Sequence, residues 1–249
     1  MNIGIITGAS SGMGKWFAFY APFYFPEIDE LWITGRNVKR LEQVSRKTKI
    51  PTKVIPADLT TAEGMEVLAS NLSKENVQIK LLVQSAGLGK IGAVADVPAE
   101  ELEEMIDLNC KSLTKVAKLC IPFMAEESHI INLASAAAFV PQPEFAVYAA
   151  TKSYVLSFSE ALYKELRKDK IYVTAVCPGC VDTPFFDVAQ KYQEMKSYKS
   201  FFMSKDKAVV KTALVDAKKK KRISIHGTYM KLFYYVCKYL PTGLLLKFM

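Results

Sequence analysis

Residues 7–14 read Thr7-Gly8-Ala9-Ser10-Ser11-Gly12-Met13-Gly14, and this stretch limits the possible folds more than any other part of the chain. It directly follows an apolar run of strand length, residues 2–7, and opens a segment of helical period over residues 14–25. Glycines at these positions let the backbone turn tightly and bring N–H groups at the helix N-terminus close to an anion. A strand, a glycine turn and a helix in that order form the usual cradle for a dinucleotide pyrophosphate in an open sheet.

The remainder of the chain repeats the alternation. Strand-length apolar runs fall at residues 30–34, 53–55, 79–84, 129–132, 171–177 and 222–225. Helical segments fall at 38–47, 62–73, 100–125, 144–169 and 205–218. This predicts an α/β fold: a single-domain, Rossmann-type, doubly wound parallel sheet of seven strands with helices on both faces. Pro22 should kink or stop the first helix early, because it lacks a backbone N–H. Residues 183–204 are aromatic but without a clean period, as in a lid or binding loop. With 50% hydrophobic residues the chain can fill a large core, and no Pro/Gly/Ser-rich linker divides it. The expected boundaries are a catalytic domain over 1–227 and an aromatic amphipathic extension over 228–249.

The spacing G-x-x-x-G-x-G with Thr7 in front resembles the short-chain dehydrogenase/reductase family rather than the commoner G-x-G-x-x-G form. Further marks follow in order: Asp58, Ser85-Ala86-Gly87, Asn109, Ser135, Tyr148, Lys152, and Pro178-Gly179 with Thr183. The resemblance covers residues 2 to 226. It implies an oxidoreductase acting on CH-OH and C=O groups with a nicotinamide cofactor. It further implies cofactor contacts from Gly8, Ser10, Ser11, Gly12, Met13, Gly14, Asp58, Leu59, Ala86, Gly87, Tyr148, Lys152, Pro178, Gly179, Val181 and Thr183. Asp58 would meet the adenine, and the segment from Pro178 to Thr183 the nicotinamide end. Gln84-Ser85 departs from the family's paired Asn, so the usual side-chain brace of the central sheet should be altered. An acidic residue normally holds a ribose 2′-hydroxyl at the end of the second strand, and Gly35-Arg36-Asn37 stands there instead. Arg36 offers a bidentate fork to a 2′-phosphate and Ser10 a hydroxyl, which points to NADP(H).

Tyr148 and Lys152 are four residues apart on a predicted helix and share a face. A phenol ordinarily titrates near pH ~10. An adjacent positive charge, helped by the oxidised nicotinamide, is expected to lower that value and make proton transfer practical at neutrality. Ser135, just past the fifth strand, can hydrogen-bond a substrate oxygen and hold its carbon for hydride transfer. In the resembling family Asn109 anchors a water beside the lysine. Together, Asn109, Ser135, Tyr148 and Lys152 form the expected catalytic set. Ser135, Phe139, Val140, Phe145, Tyr148, Phe185 and Phe186 are the candidate substrate pocket, with Phe201 and Phe202 beside them. So many aromatics suit a bulky apolar ketone or alcohol of ketosteroid, bile-acid or 3-oxoacyl type.

The net charge of +8 is scattered apart from the run from Lys218 to Arg222, which reads as a solvated helix end. No nucleic-acid motif accompanies it, and neither nucleic acid nor metal is an expected partner. Five cysteines give no disulfide framework, and the N-terminus lacks a charged region followed by an apolar stretch and a cleavage site. A cytoplasmic protein, dimeric or tetrameric, is expected. Cys177-Pro178-Gly179-Cys180 is a C-x-x-C, but Cys177 closes an apolar strand, which argues against a redox pair. His129 and His226 read as structural. Two other functions fit the same fold: an NADP(H)-binding sensor without turnover, and a lipid-surface interaction protein. The tail is too interrupted for a membrane span, which needs ~20 mostly apolar residues. Its apolar faces must be covered by the substrate cleft, by a second subunit or by an anionic membrane surface.

Overall fold

A computed structural model of the chain describes residues 1–193 and 203–248. Seven strands form one parallel sheet: β1 (Asn2–Thr7), β2 (Glu30–Gly35), β3 (Thr52–Pro56), β4 (Gln78–Gln84), β5 (Met124–Leu133), β6 (Ile171–Val176) and, last, Ile223–Ser224. Between β6 and that last strand, β7 (Val181–Asp182) and β8 (Ser204–Lys205) pair as a separate two-stranded unit. The last strand is therefore β9, and the main order is β3-β2-β1-β4-β5-β6-β9.

Both faces of the sheet are buried because its strands are apolar at odd and even positions alike. In β1, Ile3 and Ile5 point to one face and Ile6 to the other, all fully buried. On the Ile6 side pack α1 (Gly12–Tyr24), α2 (Val38–Ser45) and α8 (Asp206–Lys218), through Phe17, Leu41, Val210 and Leu214. On the other side pack α3 (Ala62–Lys74), α5 (Leu113–Cys120) and α6 (Ala146–Glu165), through Leu68, Leu72, Val116 and Leu162. The seven-stranded doubly wound sheet predicted from the sequence is thus borne out. Burial of Trp32 and these aliphatics supplies the main folding drive, at roughly 1.5–3 kcal/mol for each large side chain.

Local differences from the sequence reading have physical causes. The helix expected over 100–125 is α4 (Ala99–Ile106), a π-helical turn at Asp107–Ser112, and α5. Pro122 lies in a 3₁₀ turn, Ile121–Phe123, and residues from Met124 onward join β5, which pairs with Ile79 of β4 and later with Ile171 of β6. Pro22 does sit in α1, which ends two residues later with Phe25 N–H bonded to Ala21 O. The stretch after Thr183 contains a short α7 (Phe185–Ala189). Phe201 and Phe202 lie outside the described residues. The tail forms α9 (Thr228–Tyr239) and α10 (Thr242–Leu245). Among the described residues no helix is long and apolar enough to cross a membrane.

The strand order reverses at β1, whose neighbours β2 and β4 lead to opposite sides of the sheet. A crevice opens at the carboxyl ends of strands at such a point. It is there that the predicted site residues gather.

Candidate active site

A cleft of about 760 Å³ runs along the carboxyl ends of the strands. Its floor at one end is the glycine turn. Gly8 and Gly12 adopt left-handed φ values of +66° and +50°, which favour glycine. A Cβ on Gly8 would lie 2.7 Å from the Ala86 backbone, and one on Gly14 2.3 Å from the Gly8 carbonyl oxygen. The turn is therefore a cradle that side chains would fill, opening onto the α1 N-terminus, as a pyrophosphate requires. Thr7 braces it: its hydroxyl oxygen accepts from the N–H groups of Ser85 and Ala86 at 3.1 and 3.2 Å.

Gly8, Ser10, Ser11, Gly12, Met13, Arg36, Asp58, Leu59, Ala86, Gly87, Pro178, Gly179, Val181 and Thr183 all line the cleft. Gly14 stands behind the cradle, outside the lining. Arg36 Nη1 lies 3.1 Å from Glu104 and 3.9 Å from Asp58, its side chain 61% exposed. Desolvation opposes the charge on Asp58, but hydrogen bonds from the Thr60 hydroxyl and N–H, with the Arg36 guanidinium, hold its carboxyl below the usual range.

Tyr148, Lys152 and Ser135 meet at the centre of the cleft. Tyr148 projects from the first turns of α6, its ring stacked on Phe145 at a centroid distance of 4.2 Å and tilted against Phe185 at 5.5 Å. Its hydroxyl faces the Ser135 side chain, which favours the phenolate. Ser135 Oγ accepts from Ala137 N at 3.1 Å, so the serine is fixed. Lys152 follows one turn later. Its Nζ lies 5.6 Å from the Tyr148 ring centre and donates to Leu133 O at 2.7 Å.

The expected lowering of the phenol's pKa is not what the chain alone produces. Burial pushes Tyr148 up to about 12, outweighing the Ser135 side chain, and burial pulls Lys152 down to about 8. Both shifts favour the neutral forms, as expected for groups in a dry pocket.

Asn109 stands behind this trio, buried and outside the cleft lining. The π-helical turn aims its amide at Leu88: Oδ1 accepts from Leu88 N at 3.0 Å, and Nδ2 donates to Leu88 O and to Thr151 Oγ1 at 2.8 and 3.0 Å. It thereby ties the chain after β4 to α6. A Cβ on Gly87 would fall 3.0 Å from Asn109 Oδ1 and 3.3 Å from Lys152 Nζ, so the bare glycine lets these groups approach.

The altered brace at Gln84 has a specific form. Gln84 Nε2 donates to Asn132 Oδ1 at 3.1 Å, and Asn132 Nδ2 donates to Ser159 Oγ at 2.9 Å. This buried ladder joins β4 to β5 and α6, and the trio sits on α6 and just past the end of β5. Asn132 was not singled out by sequence reasoning. Its signal was a polar residue within an apolar strand.

Val140, Phe145, Phe185 and Phe186 line the apolar end of the cleft, but Phe139 does not. Phe139 turns away to pack edge-on against Tyr234 at 5.0 Å and beside Phe233 at 6.4 Å, forming a seat for α9. In its place the tail contributes Tyr229, Met230, Phe233, Cys237 and Leu245 to the lining. Met230 sits so close to Gly179 that a Cβ there would meet its sulfur at 2.8 Å. His129, fully covered between Phe25 and Tyr172, and His226, bonded to Thr212, lie away from the cleft. Burial pushes the Cys177 thiol well up, against a redox role for the C-x-x-C.

The family model for short chain dehydrogenases matches residues 2–194. An uncharacterized oxidoreductase of Staphylococcus epidermidis is 33% identical over 185 residues, 74% of this chain and 79% of that one. A short-chain dehydrogenase from Sphingobium yanoikuyae, solved in complex with NADPH, superposes with a TM-score of 0.82 at 25% identity over 99% of this chain and 95% of its own. The bulky-bulky ketone specific alcohol dehydrogenase from Comamonas testosteroni gives 0.75 at 26% identity, over 99% and 94%. The chain belongs to the short-chain dehydrogenase family. Within that family it is an oxidoreductase.

Proposed function

We propose that this protein interconverts a ketone and a secondary alcohol on a bulky apolar skeleton, drawing on NADP(H). The observation that carries this reading is the meeting of the Tyr148 phenol, the Ser135 hydroxyl and the buried Lys152 amine in one apolar cleft that begins at the glycine cradle. Gly8, Ser11, Gly12 and Met13 would hold the pyrophosphate with Gly14 backing the turn, Asp58 and Leu59 the adenine end, and Ala86, Gly87, Pro178, Gly179, Val181 and Thr183 the nicotinamide half. Arg36 and Ser10 would take the 2′-phosphate, Arg36 exchanging its exposed Glu104 partner for it. When bound, the nicotinamide supplies or accepts the hydride at the substrate carbon.

Ser135 holds the substrate oxygen by a hydrogen bond. Tyr148 gives that oxygen a proton in reduction and takes it back in oxidation. Lys152 supplies positive charge one helical turn away. In the chain alone burial still holds the phenol near 12, so the charge of the oxidised nicotinamide would have to add to that of the lysine. Asn109 acts by position, holding Leu88 and Thr151 so that Gly87 and Lys152 stay within reach of one another. The stacked Phe145 and the tail residues Met230 and Phe233 exclude water.

The aromatic lining favours a large apolar substrate, and the Comamonas enzyme's named preference for bulky ketones agrees with it. The test is NADPH and NADH absorbance against ketosteroids, 3-oxoacyl thioesters and small aldehydes. Turnover of bulky ketones with NADPH is expected. Turnover confined to small aldehydes would refute the substrate class, a preference for NADH the cofactor, and NADPH binding without any turnover the enzyme reading in favour of a sensor.

A further inference from the structure

The helix α9 has two apolar faces where a surface helix normally has one. Its inner face places Met230, Phe233 and Cys237 in the cleft lining, with Tyr234 on Phe139. Its outer face presents Leu232, Tyr235 and Tyr239 at 62%, 53% and 73% exposure. Leu240, Leu244 and Leu246 continue this exposed surface through α10. Patches of this kind on a soluble protein mark an interaction site. These helices also lie beyond the region matched by the family model, which ends at residue 194.

Charge indicates what covers the patch. Residues 228–249 contain Lys231, Lys238 and Lys247 and no aspartate or glutamate. All three lysines are exposed, and none forms an ion pair among the described residues. On α9, Lys231 and Lys238 are seven residues apart and border the Leu232–Tyr239 stripe on one side. A two-fold contact with a second copy would set these uncompensated lysines near one another. A flat anionic surface would neutralise them all. Tyrosines suit such a boundary, since the ring is apolar and the hydroxyl stays wet.

We infer that the outer face of α9 and α10 is an attachment surface for an anionic lipid bilayer, with α9 lying in the interface plane and its lysines against the headgroups. A helix of 12 residues gives roughly 18 Å of contact. The inner face of the same helix lines the cleft, so the cleft then lies about one helix diameter, roughly 10 Å, from a surface into which a lipid-soluble ketone or alcohol partitions. That last consequence rests on the proposed function. The attachment itself does not, and it is measured without turnover.

The test is co-sedimentation of the full chain with vesicles of phosphatidylcholine alone and of phosphatidylcholine mixed with phosphatidylglycerol, with size-exclusion chromatography alongside. Binding to the mixed vesicles, weakened by salt and weak on phosphatidylcholine alone, is expected. K231Q together with K238Q should weaken it roughly 30-fold. L232S together with Y239S, neither of which lines the cleft, should abolish it while leaving the melting temperature and the reduction of a water-soluble ketone unchanged. Equal binding to both vesicles, or no binding by the unmodified chain, overturns the inference. So does a dimer that L232S with Y239S converts to monomer in the absence of vesicle binding, which would assign the patch to a second copy.

Discussion

Replacing Tyr148 by Phe separates what the ring does from what the hydroxyl does. The ring is stacked on Phe145 at 4.2 Å and packed against Phe185, and both contacts survive the substitution. The hydroxyl is lost, and with it the polar contact with Ser135, which at the most costs what a hydrogen bond does, about 0.5–1.5 kcal/mol of stability. For a chain of this length that corresponds to a drop in melting temperature of roughly 1–6 °C. The glycine cradle is untouched, so NADPH affinity should stay within a few-fold. Turnover should fall far more, because positioned proton transfer contributes roughly 10²–10⁴-fold. Three measurements on one variant therefore diverge: a small melting shift, an almost unchanged cofactor titration, and a collapse of kcat by two orders of magnitude or more. Residual kcat within tenfold of the unmodified enzyme would refute the proton-transfer role. A comparable loss in all three would show that the hydroxyl serves the fold instead.

Arg36→Asp removes the fork expected at the 2′-phosphate. NADPH affinity should drop roughly 10–100-fold, as for a charged hydrogen bond, with NADH nearly unaffected, and equal losses in titrations of both would contradict the assignment. Gly14→Ala should abolish cofactor binding and lower the melting temperature, since the new Cβ would lie 2.3 Å from Gly8 O; a normally binding variant would mean that the turn adopts another shape. Burial pulls Lys152 in the folded chain down to about 8, below its unfolded value, so its stability contribution is fully present above pH ~10.5 and is lost as pH falls towards 8. Relative to Lys152→Met, the unmodified chain should therefore gain stability in denaturant titrations between pH 7 and pH 11, by on the order of 3 kcal/mol. A pH-independent difference would show that the amine is not desolvated.

The sheet was readable because β1, β2, β4 and β6 carry apolar residues on both faces, which leaves little ambiguity between strand and surface. The cradle was readable because each glycine has a steric reason to be there. Helix ends were less legible: Pro122 stops α5, but the turn to β5 takes just three residues, and Met124 looks as helical as it does extended. The ladder from Gln84 through Asn132 to Ser159 depends on register between elements distant in sequence, and no local pattern encodes it. Phe139 illustrates the same limit. It neighbours Val140, which does line the cleft, but its direction was decided by where Phe233 and Tyr234 settle. The burial that pushes the phenol up in the chain alone is equally hidden from a helix-face argument, which counts nearby charges and not the packing around them.

The π-helical turn at Asp107–Ser112 makes the protein sensitive to a change in length that composition would not reveal. It holds one residue more than a regular α-helical turn of the same span. Deleting a single residue there, such as Cys110 or Lys111, would let α4 and α5 merge into one regular helix with better backbone bonding. The flanking helices would keep nearly their present relation, since the extra residue alone is lost, but residues within the turn would shift around the axis by up to about 100°. Asn109 would then face away from Leu88, and the link from β4 to Thr151 would open. The shortened chain would own a better helix and a worse enzyme, and along this stretch the spacing of residues is under tighter constraint than their identity.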